Sequence, residues 1–123
     1  MSEFKLIKNF MKRSLLLHDG FESDFVHKQN IIHCPICGSQ VIFTLFNSKR
    51  FDLESELFKK EIAKRLKGVK ENPKKHGYYN YKGEAINFFK SGCSLHKHTV
   101  FVFFTFSEVQ PARYISNLIG IFG

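Results

Sequence analysis

The chain of 123 residues has no tryptophan, three prolines, two methionines and three cysteines, and only four of its 19 basic residues are arginine. Three cysteines cannot all pair within one chain, which argues against a disulfide framework and for a metal site or reduced thiols. No apolar run approaches the ~18 residues a membrane span needs, and Ser14-Leu15-Leu16-Leu17 is too short for a signal-peptide core. A soluble, intracellular, cytoplasmic protein with no membrane partner is expected, in the host cytoplasm if the source is viral. The scarcity of arginine disfavours bidentate reading of base edges. Acidic residues number 11, and no glycine-rich phosphate loop or Ser/His/Asp grouping is visible.

Phenylalanine is plentiful, at 15 residues beside four tyrosines, and 43% of the chain is hydrophobic against 24% charged. That composition excludes disorder as the main state and fits one domain over residues 1–123. The abundance of Lys, Phe, Asn and Ile fits coding from AT-rich DNA, as in many phages and low-GC bacteria. Net charge is +8, and its location is informative. The stretch from Lys59 to His98 holds eleven Lys or Arg residues against Glu61, Glu71 and Glu84, whereas the remainder is neutral. A local surplus of one sign attracts polyanions.

Helical spacing of Phe4, Ile7, Phe10/Met11 and Leu15 predicts a helix over 2–17, with Ser2 as cap and His18-Asp19-Gly20 as stop. Gln40 to Phe46 reads as a central strand with apolar residues on both faces. A helix over 53–67 is predicted from an Asp52 cap, acidic residues in its first turn, basic ones in its last and Gly68 after it. Leu53, Leu57, Phe58, Ile62 and Leu66 form its apolar stripe, leaving Lys59, Lys60, Lys64 and Lys67 on the outward flanks. Residues 69–83 read as a loop, and Tyr81-Lys82-Gly83-Glu84 suits a hairpin turn at its end. Strands follow over 84–106, and Pro111 would open a final helix within 110–120. The fold class expected is α+β, a small antiparallel sheet flanked by about three helices.

Cys34-x2-Cys37 and Cys93-x2-His96 carry the strongest chemical signal. Two intervening residues let a tight turn aim both side chains at one ion, and Gly38 lets the backbone turn away at positive φ. A Cys3His set favours Zn2+ through thiolate softness and tetrahedral preference. His98 is an alternative fourth ligand. These residues resemble a zinc ribbon: Cys34-Pro35-Ile36-Cys37-Gly38 is similar to its first knuckle, and Cys93-Ser94-Leu95-His96 to a second with one Cys replaced by His. The zinc-bearing strands would then lie within 31–46 and 84–106, with residues 52–83 as a basic helix-and-loop insertion between them. The resemblance implies a structural ion and a weak link to transcription or replication. Four filled ligands leave no open position for catalysis, and no catalytic residue is assigned.

Two functions follow as expectations. In the first, the chain is a zinc-binding protein that binds DNA or RNA with low specificity. Lys59, Lys60, Lys64, Lys67, Lys74, Lys75 and Lys82 would contact phosphates, and Tyr78, Tyr79 and Tyr81 would stack on unpaired bases. In the second, it is a zinc-stabilised adaptor or inhibitor acting on a protein partner, or a homo-oligomer. There the docking patch would come from aromatic surplus among Phe88, Phe89, Phe101, Phe103, Phe104 and Phe106.

Overall fold

A computed structural model describes residues 6–9, 15–34, 38–66, 68–92 and 99–122. Its strands are β1 (Leu6–Asn9), β2 (Leu15–Gly20), β3 (Asn30–His33), β4 (Gln40–Phe43), β5 (Lys49–Arg50), β6 (Val69–Glu71), β7 (Tyr79–Tyr81), β8 (Glu84–Gly92), β9 (Thr99–Thr105), β10 (Ser107–Gln110) and β11 (Arg113–Phe122). One α-helix is found among the described residues, α1 (Glu56–Arg65), with short 3-10 turns at Glu22–Asp24 and Phe51–Leu53.

Nine strands form an antiparallel sheet in the order β1-β11-β9-β8-β7-β6, with β2 and β10 also on β11 and β5 on β8. β11 is saturated on both edges: β9 and β10 pair along one, β2 and β1 along the other. β3 and β4 form a separate hairpin.

The centre of the sheet is apolar on both sides, and this decides the architecture. In β9, Val100, Val102 and Phe104 join Phe25, Ile32, Val41 and Phe43 in one buried cluster. Phe103, on the alternate face, joins Phe51, Ile62, Leu66, Phe88 and Phe122 in a second. The β3–β4 hairpin thus closes one face and α1 with its preceding turn closes the other. Each fully buried Phe contributes about 1.5–3 kcal/mol by leaving water. Phe103 packs on Phe51, Phe58, Phe88 and Phe122, with centroids 5.3–6.3 Å apart.

The observed class corrects the α+β expectation with about three helices: strands dominate. The segment expected as helix 2–17 supplies β1 and β2, and the helix expected within 110–120 is β11. Pairing overrides local periodicity here, because β11 offers both of its edges and the flanking strands satisfy their backbone groups on it. Pro111 stands in the turn between β10 and β11, beside Ala112 at φ 65°.

The remaining helix starts later than expected. Ser55 caps it, its hydroxyl accepting from the Phe58 N–H at 3.3 Å, while the Asp52 carboxylate instead accepts from the Tyr79 N–H at 3.1 Å. Ile62 and Leu66 are buried and Phe58 packs against the same cluster, but Leu53 and Leu57 are each 77% exposed, so the predicted apolar stripe holds from Phe58 onward. Gly68 follows α1 at φ 99°, and a Cβ there would lie 2.6 Å from the Tyr81 ring.

The expected loop over 69–83 is largely ordered as β6, a turn, and β7. The hairpin through Lys82-Gly83 is present, with Tyr81 opposite Glu84 and both turn residues at positive φ, as a two-residue type I′ turn requires. β4 is not central: it belongs to the two-stranded hairpin, and Ile42 is exposed opposite Ile31.

Candidate nucleic-acid interface and metal half-sites

The basic surface is built from α1 and the turn joining β6 to β7. α1 carries Lys60 and Lys64 outward, and the turn carries Lys74 and Lys75, all four exposed. Lys82 is exposed at the β7–β8 turn with its ammonium 5.4 Å from the Tyr81 ring centroid. Lys67 lies outside the described residues.

The turn is shaped by its own bonds. The Asn72 N–H donates to the Tyr78 carbonyl at 2.7 Å, and the Asn72 side-chain oxygen accepts from the Lys74 N–H at 2.9 Å. Glu71 accepts from the Gly77 N–H at 2.8 Å and pairs with His76 at 2.9 Å. Gly77 sits at φ +87°, where a Cβ would approach the Glu56 carboxylate to 3.2 Å.

Lys59 departs from the expected outward position. It is 4% exposed, and its ammonium donates to the carbonyls of Gly77 at 2.5 Å and Asp52 at 3.3 Å and pairs with Glu56 at 3.1 Å. Chiefly through the hydrogen bond from Lys59, the Glu56 carboxyl is held below the ordinary carboxylate range, with smaller contributions from His76 and Lys60. Glu56 pairs with the ammonium that also binds the Gly77 carbonyl, so the start of the helix and the turn meet there.

The tyrosines divide. Tyr78 is 45% exposed, with the Lys75 ammonium 5.5 Å from its ring centroid. Tyr79 and Tyr81 are only 5% and 3% exposed and belong to the second core cluster, so neither offers a face to a base. Burial raises both phenols above the ordinary tyrosine range. The Tyr81 hydroxyl has no hydrogen-bond partner among the described residues.

Acidic neighbours trim the surface. Glu61 pairs with Arg65 at 2.9 Å and lies 3.9 Å from Lys64. Lys60, Lys70, Lys74 and Lys75 form no ion pair among the described residues. Lys70 and Arg65, both exposed, were not singled out by sequence; Lys70 lies on β6, at the end of the sheet order.

Of the metal set, only Cys34 is among the described residues; Cys37, Cys93, His96 and the alternative His98 lie outside them. Cys34 follows β3 and is buried in the first cluster, which also contains Val100 of β9. Its N–H donates to the Ser39 carbonyl and its carbonyl accepts from the Gly38 N–H, both at 2.7 Å, with Gly38 at φ +80° as expected for a knuckle glycine. The second half-site falls in the connection between β8 and β9, whose last pair before it is Gly92 with Thr99. Among the described residues alone, no group of three or more His, Cys, Asp or Glu is placed to hold an ion.

The aromatic surplus expected to form a docking patch is largely consumed by the two cores. Phe88, Phe103 and Phe104 are buried, and Phe89, Phe101 and Phe106 are partly buried against the clusters. Among the described residues, no helix is long and apolar enough to cross a membrane. Compared with protein families, curated proteins and solved structures, the chain matches none.

Proposed function

We propose that this chain binds the phosphate backbone of nucleic acid with low sequence specificity, as an accessory to transcription or replication. The observation that supports the reading is the contact of Lys59 with both Gly77 and Glu56, which sets the turn bearing the exposed Lys74, Lys75 and Tyr78 beside the start of the helix bearing the exposed Lys60 and Lys64. Lysines there supply charge without the planar fork that reads guanine, and the exposed ring of Tyr78 supplies one stacking face for an unpaired base. The phosphate ligands are Lys60, Lys64, Lys74, Lys75 and Lys82, with Lys67 from the sequence. Anisotropy titrations of labelled single-stranded and duplex DNA and RNA at several salt concentrations test this. Binding should weaken by about 0.9 logarithmic units per tenfold rise in salt for each phosphate neutralised on a duplex, and salt-insensitive or absent binding defeats the reading.

A structural Zn2+ held by Cys34, Cys37, Cys93 and His96 belongs to the same proposal. The buried Cys34 thiol in a turn closed by Gly38 at positive φ fits a thiolate knuckle. Its chemistry would be that of a clip between two hairpin ends.

A second reading, docking on a protein partner, is favoured by the exposed cross-strand pair Ile31 and Ile42 on the outer face of the β3–β4 hairpin. Light scattering and recovery of a partner would favour it over the first.

A further inference from the structure

We infer that Lys59 is a positioning residue of the basic surface and not one of its phosphate ligands: its buried ammonium locks the 72–78 turn against the start of α1. The inference deepens the nucleic-acid reading and rests on it for the binding readout, while the lock itself has a separate one.

A lysine ammonium has three N–H donors. Here three acceptors from three places surround it: the Gly77 carbonyl from the turn, the Asp52 carbonyl from the 3-10 turn, and the Glu56 carboxylate from the first helical turn. The residue is 4% exposed, and its ammonium lies 5.9 Å from the Tyr79 ring centroid. No donor remains to greet a phosphate, and reaching one would break all three contacts. The neighbours of Gly77 are Tyr78, with Lys75 over its ring, and His76. Besides the lock, the Asp52 side chain holds this region through the Tyr79 N–H. Losing the Lys59 contacts would leave the turn's internal bonds in place but free its lysines to move relative to Lys60 and Lys64. A polyanion would then have to order the two elements on binding, which weakens affinity without removing a phosphate contact.

Salt dependence separates the two roles. A ligand lysine, when neutralised, lowers the slope of log affinity against log salt by about 0.9 on a duplex and about 0.7 on a single strand. A positioning lysine lowers affinity at every salt concentration and leaves the slope unchanged.

The experiment uses the full chain, a labelled single strand and a duplex of equal length, and compares Lys59→Met, Glu56→Gln and Lys60→Gln with the parent protein. Lys59→Met should weaken binding by about three- to tenfold at each salt concentration, with the parent slope. Lys60→Gln should lose about 0.9 of slope on the duplex and about 0.7 on the single strand. Amide exchange at Gly77, Tyr78 and Tyr79 should accelerate in Lys59→Met while Val102 and Phe104 stay protected. Glu56→Gln, changing a half-exposed partner, should move exchange and affinity in the same direction by less, and it carries the test if Lys59→Met does not fold. A slope loss in Lys59→Met equal to that of Lys60→Gln would make Lys59 a ligand and overturn the inference. Unchanged exchange at Gly77 to Tyr79 in both variants would overturn the lock. A parent protein that binds neither probe overturns the nucleic-acid reading alone, and exchange then decides the lock.

Discussion

The two faces of the central sheet are closed by very different pieces of chain. Residues 25–48, which include the β3–β4 hairpin, contain a single Lys, Lys28, and no other Lys, Arg, Asp or Glu. Residues 49–83, which supply α1 and the β6–β7 turn, carry most of the basic surplus. The first face buries Cys34 among aliphatic and aromatic side chains; the second buries an ammonium among carbonyls and rings. Proximity in sequence misleads here. The basic segment lies between the two metal half-sites along the chain, yet it packs on the face of β8 and β9 opposite to the one that buries Cys34. A metal would therefore secure the hairpin face, and the charged face would rely on Lys59 and aromatic packing.

The comparison can be broken most forcefully at the metal. Chelation, or Cys34→Ser, should destabilise the fold by an amount on the order of 10 kcal/mol if zinc binding is coupled to folding. Amide protection should disappear first at Ile32, Val41 and Phe43, before Ile62 and Leu66; an unchanged melting temperature on chelation would remove the clip. Phe103→Ala and Phe104→Ala probe the two cores from adjacent positions of one strand, and each should cost about 3–5 kcal/mol by denaturant unfolding. A clearly smaller loss for one would show that its face is loosely packed.

Gly68→Ala tests the charged face alone. It combines a positive-φ penalty with a Cβ placed 2.6 Å from the Tyr81 ring, and should cost about 2–4 kcal/mol. A loss near zero would mean that α1 can withdraw from β7. Tyr81→Phe, which removes the buried hydroxyl without a partner, should be neutral or stabilising by about 1 kcal/mol and leave nucleic-acid affinity intact. Reduced affinity would return Tyr81 to the interface.

The smallest effects are those of pH. Glu56 has a lowered pKa in the folded chain, so its contribution is present above the unfolded carboxylate pKa and fades as pH falls through the folded value. Tyr79 and Tyr81 have raised values, so their contribution is complete below the unfolded tyrosine pKa and fades as pH rises through the folded ones. Acid should therefore loosen the lock at Gly77 first, and alkali the core beneath it, as read by amide exchange and by tyrosinate absorbance.

The middle of the sheet, β8 and β9, was legible. The β-branched and aromatic runs of β8 and β9 and the Lys82-Gly83 turn carry signals that depend on short-range chemistry, and β4 was legible as a strand but not in its place outside the main sheet. The two lost helices show where such signals fail. Tyr114, Ile115, Leu118 and Ile119 fit a helical stripe as well as they fit a strand buried on both sides, and Pro111 fits either a first helical turn or a β-turn. Ile115, Ile119, Ile121 and Phe122 around Gly120 were the discriminating β signal. In α1 the error was angular: at about 100° per residue Lys59 lies about 60° from Ile62, whereas Leu57 lies about 140° away. Polarity pointed Lys59 outward, but the helix geometry already pointed it in. Acceptors that make its burial tolerable come from Gly77 and Asp52, and no local pattern announces them. Burial of Tyr79 and Tyr81 was hidden for a related reason: their segment looked like a polar loop until β6 and β8 paired with it.

The saturation of β11 on both edges has a consequence in time. Arg113 holds Asp19 through two bonds of 2.7 and 2.8 Å across 94 positions of chain, and Leu6 pairs with Phe122 beyond it. Pairings this distant place the molecule among domains that fold in milliseconds to seconds rather than microseconds. During synthesis β1 and β2 emerge long before β11, the strand with which they pair. For that interval the phenylalanines of β8 and β9 sit beside an open edge, and the nascent chain is at its most adhesive until β11 pairs there.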